Sequence, residues 1–219
     1  MTEPMDMTLD ELRAALAPLI PANAVFDGWS DKALSMAAAS LGVPPERARL
    51  AFPDGPLQMI DAWFEAIDVA MLAAWPPERI EMLKVRERIQ DLVLTRIEAI
   101  RPHKEALRRA FAILALPSNA ILGARLAWRA ADRMWRVAGD TTTDFNHYSK
   151  RGILAALYTA TMLVFLDDES DGFKDTRSFL DRRIDEVMRI EKLKAQWRGG
   201  RERLPSLSRF LGRLRYPAV

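Results

Sequence analysis

The sequence predicts an all-α protein, and three observations support this fold class. Apolar residues recur at steps of three and four along several segments of ordinary helical length, as they do on one face of a helix. Prolines and glycines separate these segments, and no convincing strand-like alternation occurs between them. The 219-residue chain is 49% hydrophobic and 28% charged, which is ordinary for a globular protein and sufficient for a substantial core.

The first predicted elements are short helices near the N-terminus. Residues 24–64 have a helix-turn-helix rhythm, in which Gly42 supplies a tight turn and a proline-capped helix follows over 45–51. Pro77 and Pro117 suit first-turn or cap positions of later helices. The longer helices are predicted at 78–100, 103–116, 118–138, 143–166 and 174–196.

Two of the longer helices carry apolar stripes that we expect to face the core. These stripes comprise Val85, Ile89, Leu92, Val93, Ile97 and Ile100 on one helix, and Ile121, Ala124, Trp128, Ala131, Trp135 and Ala138 on the other. Residues 153–166 are apolar nearly all round, which predicts either a central core helix or the wall of an apolar cavity. The residues whose apolarity and helix placement suit the lining of such a cavity are Met71, Trp75, Leu92, Leu116, Leu157, Met162 and Phe165.

Composition excludes many kinds of chemistry. The chain has no cysteine and only His103 and His147, so disulfide scaffolds, zinc ribbons, iron–sulfur clusters and histidine-rich metal sites lack their ligands. Neither histidine follows a glutamate at the three-residue spacing that a di-iron site in a helical bundle requires. The acidic run 167–172 departs from the EF-hand template, and we interpret it as a solvated loop that caps the next helix. We therefore expect a protein that is not an enzyme and that uses no metal or cofactor.

Charge is distributed unevenly along the chain. Residues 1–60 hold eight acidic and four basic side chains, so the helix-turn-helix segment lacks the positive charge that phosphate binding needs. We expect no nucleic-acid binding, and a DNA-binding transcriptional regulator is the alternative. The longest apolar run, 153–166, has 14 residues, fewer than the roughly 20 that span a bilayer. With an acidic first segment that resembles neither a signal nor a transit peptide, this predicts a soluble, intracellular protein.

The C-terminal residues have the opposite charge balance. Residues 195–219 hold six arginines and one glutamate. Over 206–216, one helical face carries the apolar side chains and the other carries basic ones: Leu207, Phe210, Leu211 and Leu214 against Arg209 and Arg213. This pattern predicts a helix that lies in the headgroup layer of a membrane. The alternative is a short helix packed on its own domain or on a dimer mate.

The most distinctive stretch is 128–151, where aromatic residues and a methionine stand among charges. The residues alone leave open whether it forms two core helices joined by a loop or an interface with a partner. Its segments Asp132-x-Met134-Trp135, Ala138-Gly139-Asp140 and Thr143-Asp144-Phe145-Asn146-x-Tyr148-x-x-Arg151 resemble the signature of the ubiquinone-biosynthesis accessory proteins, the ninth of the Coq series. The similarity is dense over about 130–183 and looser at 26–30 and 52–55.

The resemblance implies a fold and a role. It implies a TetR-like helical bundle, and the N-terminal unit, with Phe52-Pro53 before Leu57, is similar to that of TetR-type regulators. It also implies a homodimer with an apolar pocket for an isoprenoid quinone intermediate or a phospholipid. The role would be non-catalytic: the protein would present a demethoxyquinone intermediate to the di-iron hydroxylase of the pathway. The implied organisation is a helix-turn-helix-like unit over 1–70, a lipid-binding domain over 71–196 and a basic membrane helix over 197–219.

The resemblance also implies a docking patch for the hydroxylase. Carried over by position, this patch comprises Asp132, Met134, Trp135, Asn146, His147, Tyr148 and Arg151. Asp132 and Arg151 are expected to form an ion pair. His147 stands where eukaryotic members have a tryptophan, and Arg136 replaces a tyrosine, so the patch is less aromatic here. Because the first segment does not resemble a transit peptide, we expect a bacterial member that works in the cytoplasm, peripherally associated with the inner face of the cell membrane.

Overall fold

The computed structural model describes residues 4, 6–140 and 145–202, with side chains described over these ranges except at 77, 81, 145, 146 and 190–202. Every regular element within these ranges is a helix, which confirms the all-α prediction. The predicted membrane-facing residues Leu207, Phe210, Leu211, Leu214, Arg209 and Arg213 lie outside the described residues, as does the side chain of Asn146. The chain divides into two compact units, 1–180 and 181–219.

The helices follow one another with short connections. They are α1 (Leu9–Leu16), α2 (Ile20–Asp27), α3 (Asp31–Ser40), α4 (Pro45–Ala51), α5 (Pro56–Ala73), α6 (Pro77–Glu81), α7 (Val85–Ile100), α8 (Lys104–Leu114), α9 (Ala120–Val137), α10 (Phe145–Asp167) and α11 (Lys174–Glu202). Three short 3-10 turns lie at Arg101–His103, Pro117–Asn119 and Asp171–Phe173. In the second unit, the described part of α11 carries an ion pair between Arg183 and Glu186 at 2.8 Å.

The turn and the short helix of the helix-turn-helix segment lie where the sequence predicts them. Gly42 adopts φ +69°, a conformation that favours glycine, and Pro45 is the first residue of α4. Ser30 caps α3 through a 3.4 Å hydrogen bond that its Oγ accepts from Ala33 N. The Trp29 indole N–H donates a hydrogen bond to the Ala106 carbonyl at 3.0 Å, and the Trp29 and Trp63 ring centroids lie 5.3 Å apart. Trp29 thus connects this segment to α8 and α5.

The single helix predicted at 78–100 is wrong, because α6 and α7 are separate. The Glu87 carboxylate accepts a 2.9 Å hydrogen bond from Lys84 N, which satisfies a free N–H at the start of α7. Met82, between the two helices, is 85% exposed, so no burial favours a continuous helix there. The stripe from Ile89 to Ile100 is buried as predicted, whereas Val85 is half exposed.

The stripe predicted on α9 is only partly correct. Ile121 is 85% exposed and Trp128 is 37% exposed, whereas Leu126, Ala130, Ala131 and Met134 are buried. Charge pairs between α9 and α5 set the orientation of α9: Arg125, Arg129 and Arg133 face Asp61, Glu65 and Asp68. The closest of these contacts are 2.6 Å, from Arg129 to Asp61 and from Arg133 to Glu65.

The acidic loop after α10 caps the next helix, as predicted, but its central carboxylate is buried rather than solvated. Asp168 accepts hydrogen bonds of 2.5–2.8 Å from the backbone N–H and the hydroxyl of both Ser170 and Thr176. Burial favours the neutral carboxyl, but these four hydrogen bonds lower the pKa of Asp168 to about 2.

One helix of the described residues is long and apolar enough to cross a membrane. This is His147–Asp167, and 44% of its most apolar window is buried inside the protein. The bent pair Val85–Leu114 and Pro117–Val137 would count as a second span only if the two helices acted together. Because the core helix of a soluble protein passes the same criteria, this is weak evidence for a span.

Candidate functional site

An apolar cavity of about 390 Å³ opens between α8, α9 and α10. Its floor includes Phe64, Leu126 and Met162, which are buried. Its rim includes Ala124 and Leu163, which are exposed, so the cavity communicates with the surface. This volume lies within the range typical of small-molecule sites, and the lining is almost wholly apolar.

Small residues on α9 create the space. Ala120, Gly123, Ala124 and Ala127 recur at steps of three and four and face the cavity. A Cβ atom added at Gly123 would lie 3.7 Å from the Leu114 side chain, an ordinary contact, so alanine would fit there. The cavity therefore depends on a row of short side chains rather than on a break in the helix.

The predicted pocket residues occupy mostly different positions. Of the seven, Met162 lines this cavity. The others are Met71, Trp75, Leu92, Leu157 and Phe165, which are buried elsewhere in the core, and Leu116, which is 52% exposed. Trp75 has a structural role, because its indole N–H donates to Thr95 Oγ1 at 3.0 Å. The repeat of small residues on α9 is the sequence signal that would have located the cavity.

A buried polar cluster adjoins the cavity. Arg96 is fully buried, pairs directly with Asp68 and donates from Nε to the Tyr158 hydroxyl at 3.0 Å. Burial opposes the charge on Arg96, yet Tyr158 and Asp68 raise the pKa of Arg96. Burial also raises the pKa of Tyr158, so its phenol stays neutral at pH 7. Tyr158 itself belongs to the cavity lining.

A second charged cluster joins the end of α9 to α10. Arg151 donates from Nε to Asp132 at 2.6 Å and from Nη1 to Asp140 at 3.0 Å, which confirms the predicted Asp132–Arg151 ion pair. Burial opposes the charge on Arg151, but the two aspartates raise the pKa of Arg151. Lys150 also pairs with Asp140 at 2.8 Å, and the Trp135 indole N–H donates to the Lys150 carbonyl at 3.0 Å.

Only some of the predicted docking residues are on the surface. Met134 is fully buried and Arg151 is 2% exposed, so both lie beneath the surface and support it. Tyr148 is 63% exposed. The centroid of its ring lies 5.2 Å from that of His147 and 6.2 Å from that of Trp128. We call Trp128, His147 and Tyr148 the aromatic surface. Trp128 belongs to it although its place in an apolar stripe suggested the core.

Comparisons with known proteins agree with this architecture. Residues 120–191, which include the small-residue face of α9 and all of α10, match the family model described as COQ9. The chain is 33% identical over 186 residues to the human protein named "Ubiquinone biosynthesis protein COQ9, mitochondrial", covering 82% of this chain and 57% of that protein. It is 34% identical over 170 residues to the rat protein of the same name, covering 74% and 54%. The chain thus spans little more than half the length of these relatives.

A solved structure shows the fold independently. The chain superposes on a TetR transcriptional regulator from Nitrosomonas europaea with a TM-score of 0.64, covering 81% of this chain and 98% of that one. At 24% identity this likeness concerns the fold alone, and it confirms the predicted TetR-like bundle. The chain is thus similar to the COQ9 proteins over most of its length, and its residues 120–191 match the COQ9 family model.

Proposed function

We propose that this protein acts in ubiquinone biosynthesis as a non-catalytic accessory protein that holds an isoprenoid lipid in its apolar cavity. The observation that carries the proposal is the open cavity, most of whose lining residues lie in the segment that matches the COQ9 family model. The names of the mammalian relatives support the pathway. The ligand would be an isoprenoid quinone intermediate or a phospholipid, and the protein would present an intermediate to the di-iron hydroxylase of the pathway.

The cavity suits one end of such a lipid. Burial of apolar surface contributes roughly 25 cal/mol per Å², so an apolar ring and the first part of its chain gain free energy by leaving water. A volume of about 390 Å³ is at the small end of ligand sites, so the rest of a long chain would continue through the open side near Leu163. The protein would therefore bind the ring end of the lipid and leave part of the chain outside.

The residues around the cavity favour binding over catalysis. Among its described lining residues, the hydroxyls of Tyr158 and Thr159 are the only polar side-chain groups. The described residues contain no group of three or more histidine, cysteine, aspartate or glutamate side chains that could hold a metal. In the proposed mechanism, the hydroxylase carries out the chemistry, and the aromatic surface on α9 and α10 docks that enzyme.

A plug at the rim tests whether the cavity binds lipid. Ala124→Trp places a large side chain at the exposed mouth, where it need not disturb the core. Ala112→Trp is the matched control, because Ala112 is exposed on α8 and does not line the cavity. Native mass spectrometry and solvent extraction should find a bound isoprenoid or phospholipid in the wild type and in Ala112→Trp, and little in Ala124→Trp. Equal lipid content in the two variants would contradict the proposal.

The basic C-terminal segment is proposed to bring the protein to the membrane. Phe210→Ser with Leu211→Ser should abolish sedimentation with anionic vesicles, because these changes remove two of the four apolar side chains on the predicted membrane-facing side of the segment. Ser208→Ala, on the same segment, should leave sedimentation unchanged. The thermal unfolding temperature should stay the same in both variants. Undiminished sedimentation of the double variant would remove the membrane role and leave the cavity proposal standing.

A DNA-binding regulator is the alternative function, and the TetR-like fold is the observation in its favour. The basic side chains of α4 are already engaged: Arg47 donates to the Met7 carbonyl at 2.5 Å, and Arg49 pairs with Asp31 at 3.4 Å. DNA binding would have to break these contacts within a segment that carries more acids than bases. We expect no gel shift with genomic fragments at either 50 or 200 mM salt, about the range over which phosphate-dependent binding weakens strongly. A salt-sensitive shift would favour the regulator.

A further inference from the structure

The chain between α8 and α9 carries apolar side chains on its surface. No charged residue occurs from Ala110 to Ala124, and we call this segment the α8–α9 corner. Leu116 is 52% exposed and Ile121 is 85% exposed. The corner also has exposed alanines at 112, 115, 120 and 124. Apolar surface of this kind marks a contact with a partner or with a membrane.

Basic residues flank the corner on both sides. Residues 106–131 contain no acidic side chain and four arginines, at 108, 109, 125 and 129. The side chains of Arg108, Arg109 and Arg125 are 49%, 42% and 68% exposed, and their acidic partners lie at 3.1–3.5 Å. Exposed ion pairs contribute little, so these arginines can exchange a carboxylate for a lipid phosphate. An apolar centre between basic ends is complementary to an anionic bilayer.

The polar groups at the tip of the corner are hydrogen-bonded within it. Asn119 Nδ2 donates to the Ile113 carbonyl at 2.8 Å, and Asn119 N donates to the Leu116 carbonyl at 2.8 Å. The Ser118 hydroxyl donates to Asn119 Oδ1 at 3.2 Å, and Pro117 has no N–H. Lipid requires such internal satisfaction, whereas water in a protein interface can satisfy free polar groups. The tip is therefore suited to a membrane.

The corner also forms part of the cavity mouth. Leu114 from α8 and Ala124 from α9 line the cavity, and Ala124 is exposed at its rim. Leu116 and Ile121 do not line the cavity, so they add apolar surface outside it. A lipid that moves from a bilayer into this mouth stays in apolar surroundings only if the mouth itself meets the bilayer.

We propose that the α8–α9 corner is a membrane-contact site, which places Leu116 and Ile121 at the boundary between headgroups and acyl chains of an anionic bilayer. Arg108, Arg109 and Arg125 contact the lipid phosphates around it. The cavity mouth then opens onto the bilayer. This inference rests on the proposed function in one respect, namely that the ligand comes from a membrane. It assigns a contact site distinct from the basic C-terminal segment.

A fluorescent label at the corner tests insertion directly, because the chain has no cysteine of its own. Ser118→Cys carries a nitrobenzoxadiazole label at the tip, and Ser40→Cys carries it at the exposed end of α3 as the control. The full chain is mixed with vesicles of phosphatidylcholine and phosphatidylglycerol in equal parts, with or without a nitroxide on the upper acyl chain. We expect a blue shift and nitroxide quenching of the label at 118, and little change at 40.

Three results of the label experiment would overturn the proposal. The first is an unchanged label at 118 on protein that sediments with the vesicles. The second is an equal response at 118 and 40, which would indicate non-specific adsorption. The third is a shift at 118 that needs no vesicles and grows with protein concentration, which would assign the corner to contact between copies of the chain.

A pair of double variants tests the apolar side chains. Leu116→Glu with Ile121→Glu should weaken vesicle binding at least about tenfold, because the corner loses apolar contact and gains charges that anionic headgroups repel. Val69→Glu with Met82→Glu is the matched control, because these residues are 57% and 85% exposed and the change in charge is the same. The control should lose much less affinity, and both variants should keep the wild-type unfolding temperature. Equal losses would overturn the proposal.

Lipid content separates this site from the proposed function. Protein that carries a bound lipid but does not insert its corner would overturn the contact site and leave the cavity proposal standing. Protein that inserts its corner but never carries a lipid would support the contact site and contradict the cavity proposal. If the wild type does not bind the vesicles at all, the contact site fails.

Discussion

The buried arginine that joins α9 to α10 gives a sharp prediction about stability. Arg151 is 2% exposed and holds Asp132 at 2.6 Å and Asp140 at 3.0 Å, and Nη1 also donates to the His147 carbonyl at 3.2 Å. Arg151→Met keeps the apolar stem and removes the charge, which leaves two carboxylates short of their partner. Removing one member of a buried ion pair typically costs 3–5 kcal/mol.

The expected loss is at the lower end of that range, about 3 kcal/mol. Lys150 still pairs with Asp140 at 2.8 Å, and Asp132 retains partial contact with water. For a chain of this length each kcal/mol lowers the unfolding temperature by about 2–4 °C, so the variant should melt about 6–12 °C below the wild type. The unfolding temperature of Arg151→Lys should lie between those of the wild type and Arg151→Met. An ammonium group keeps the charge but cannot bind both aspartates in the planar, two-pronged geometry of a guanidinium group.

The matched control is a second arginine on the same aspartate. Arg136 contacts Asp132 at 2.8 Å, but its side chain is 70% exposed. Arg136→Met should cost less than about 1 kcal/mol, as exposed pairs do. Urea unfolding followed by circular dichroism at pH 7 gives the free energy of unfolding of each variant. Equal losses at Arg151 and Arg136, or a loss below about 1 kcal/mol at Arg151, would refute the argument that burial makes this pair strong.

Two further predictions follow from the fold. Because its pKa is lowered to about 2, the Asp168 carboxylate stabilises the folded protein above about pH 4, and this contribution is lost as pH falls towards 2. Asp168→Asn should therefore cost about 2 kcal/mol at pH 7 and progressively less below pH 4 in urea titrations, whereas exposed Asp167→Asn should cost little at either pH. On α9, Ile121→Glu should leave the urea midpoint nearly unchanged, because Ile121 is 85% exposed, whereas Leu126→Ala should cost about 2–5 kcal/mol. A larger loss of stability in Ile121→Glu than in Leu126→Ala would mean that α9 buries the stripe that its apolar periodicity predicted.

Single residues in the sequence predicted those features of the fold that depend on the local backbone conformation. Pro45 and Pro117 begin their helices where expected, because proline fixes φ and needs no hydrogen bond in the first turn. Gly42 marked its turn for a similar reason, since its positive φ favours glycine. The Asp132–Arg151 pair came from resemblance to a family, and the structure confirms it.

The orientation of α9 could not be predicted from α9 alone. Its apolar periodicity suggested that Ile121 and Trp128 were buried. The face of a helix that is buried depends, however, on how its side chains pack against the neighbouring helices. The deciding pattern joins two distant segments: arginines at 125, 129 and 133 and acids at 61, 65 and 68 repeat at matching helical spacing. Most of the residues that line the cavity were not predicted, for a related reason. Empty space depends on the distance between helices, and the most apolar residues fill the core instead of lining the cavity.

The buried cluster beside the cavity has a structural logic of its own. An ion pair such as Asp68–Arg96 seldom stabilises a core more than apolar residues of equal volume would, because both charges lose water. The cluster does constrain how the helices are arranged. Asp68 lies on α5, Arg96 on α7 and Tyr158 on α10, so their contacts fix the relative positions of three helices. These helices surround an apolar space that would otherwise tend to collapse. Arg133 also contacts Asp68, at 3.0 Å. We therefore expect Asp68→Leu with Arg96→Met to lose part of the free energy of unfolding and to lose affinity for decylbenzene, an apolar probe of the cavity. Unchanged decylbenzene binding in that double variant would mean that packing alone holds the cavity open.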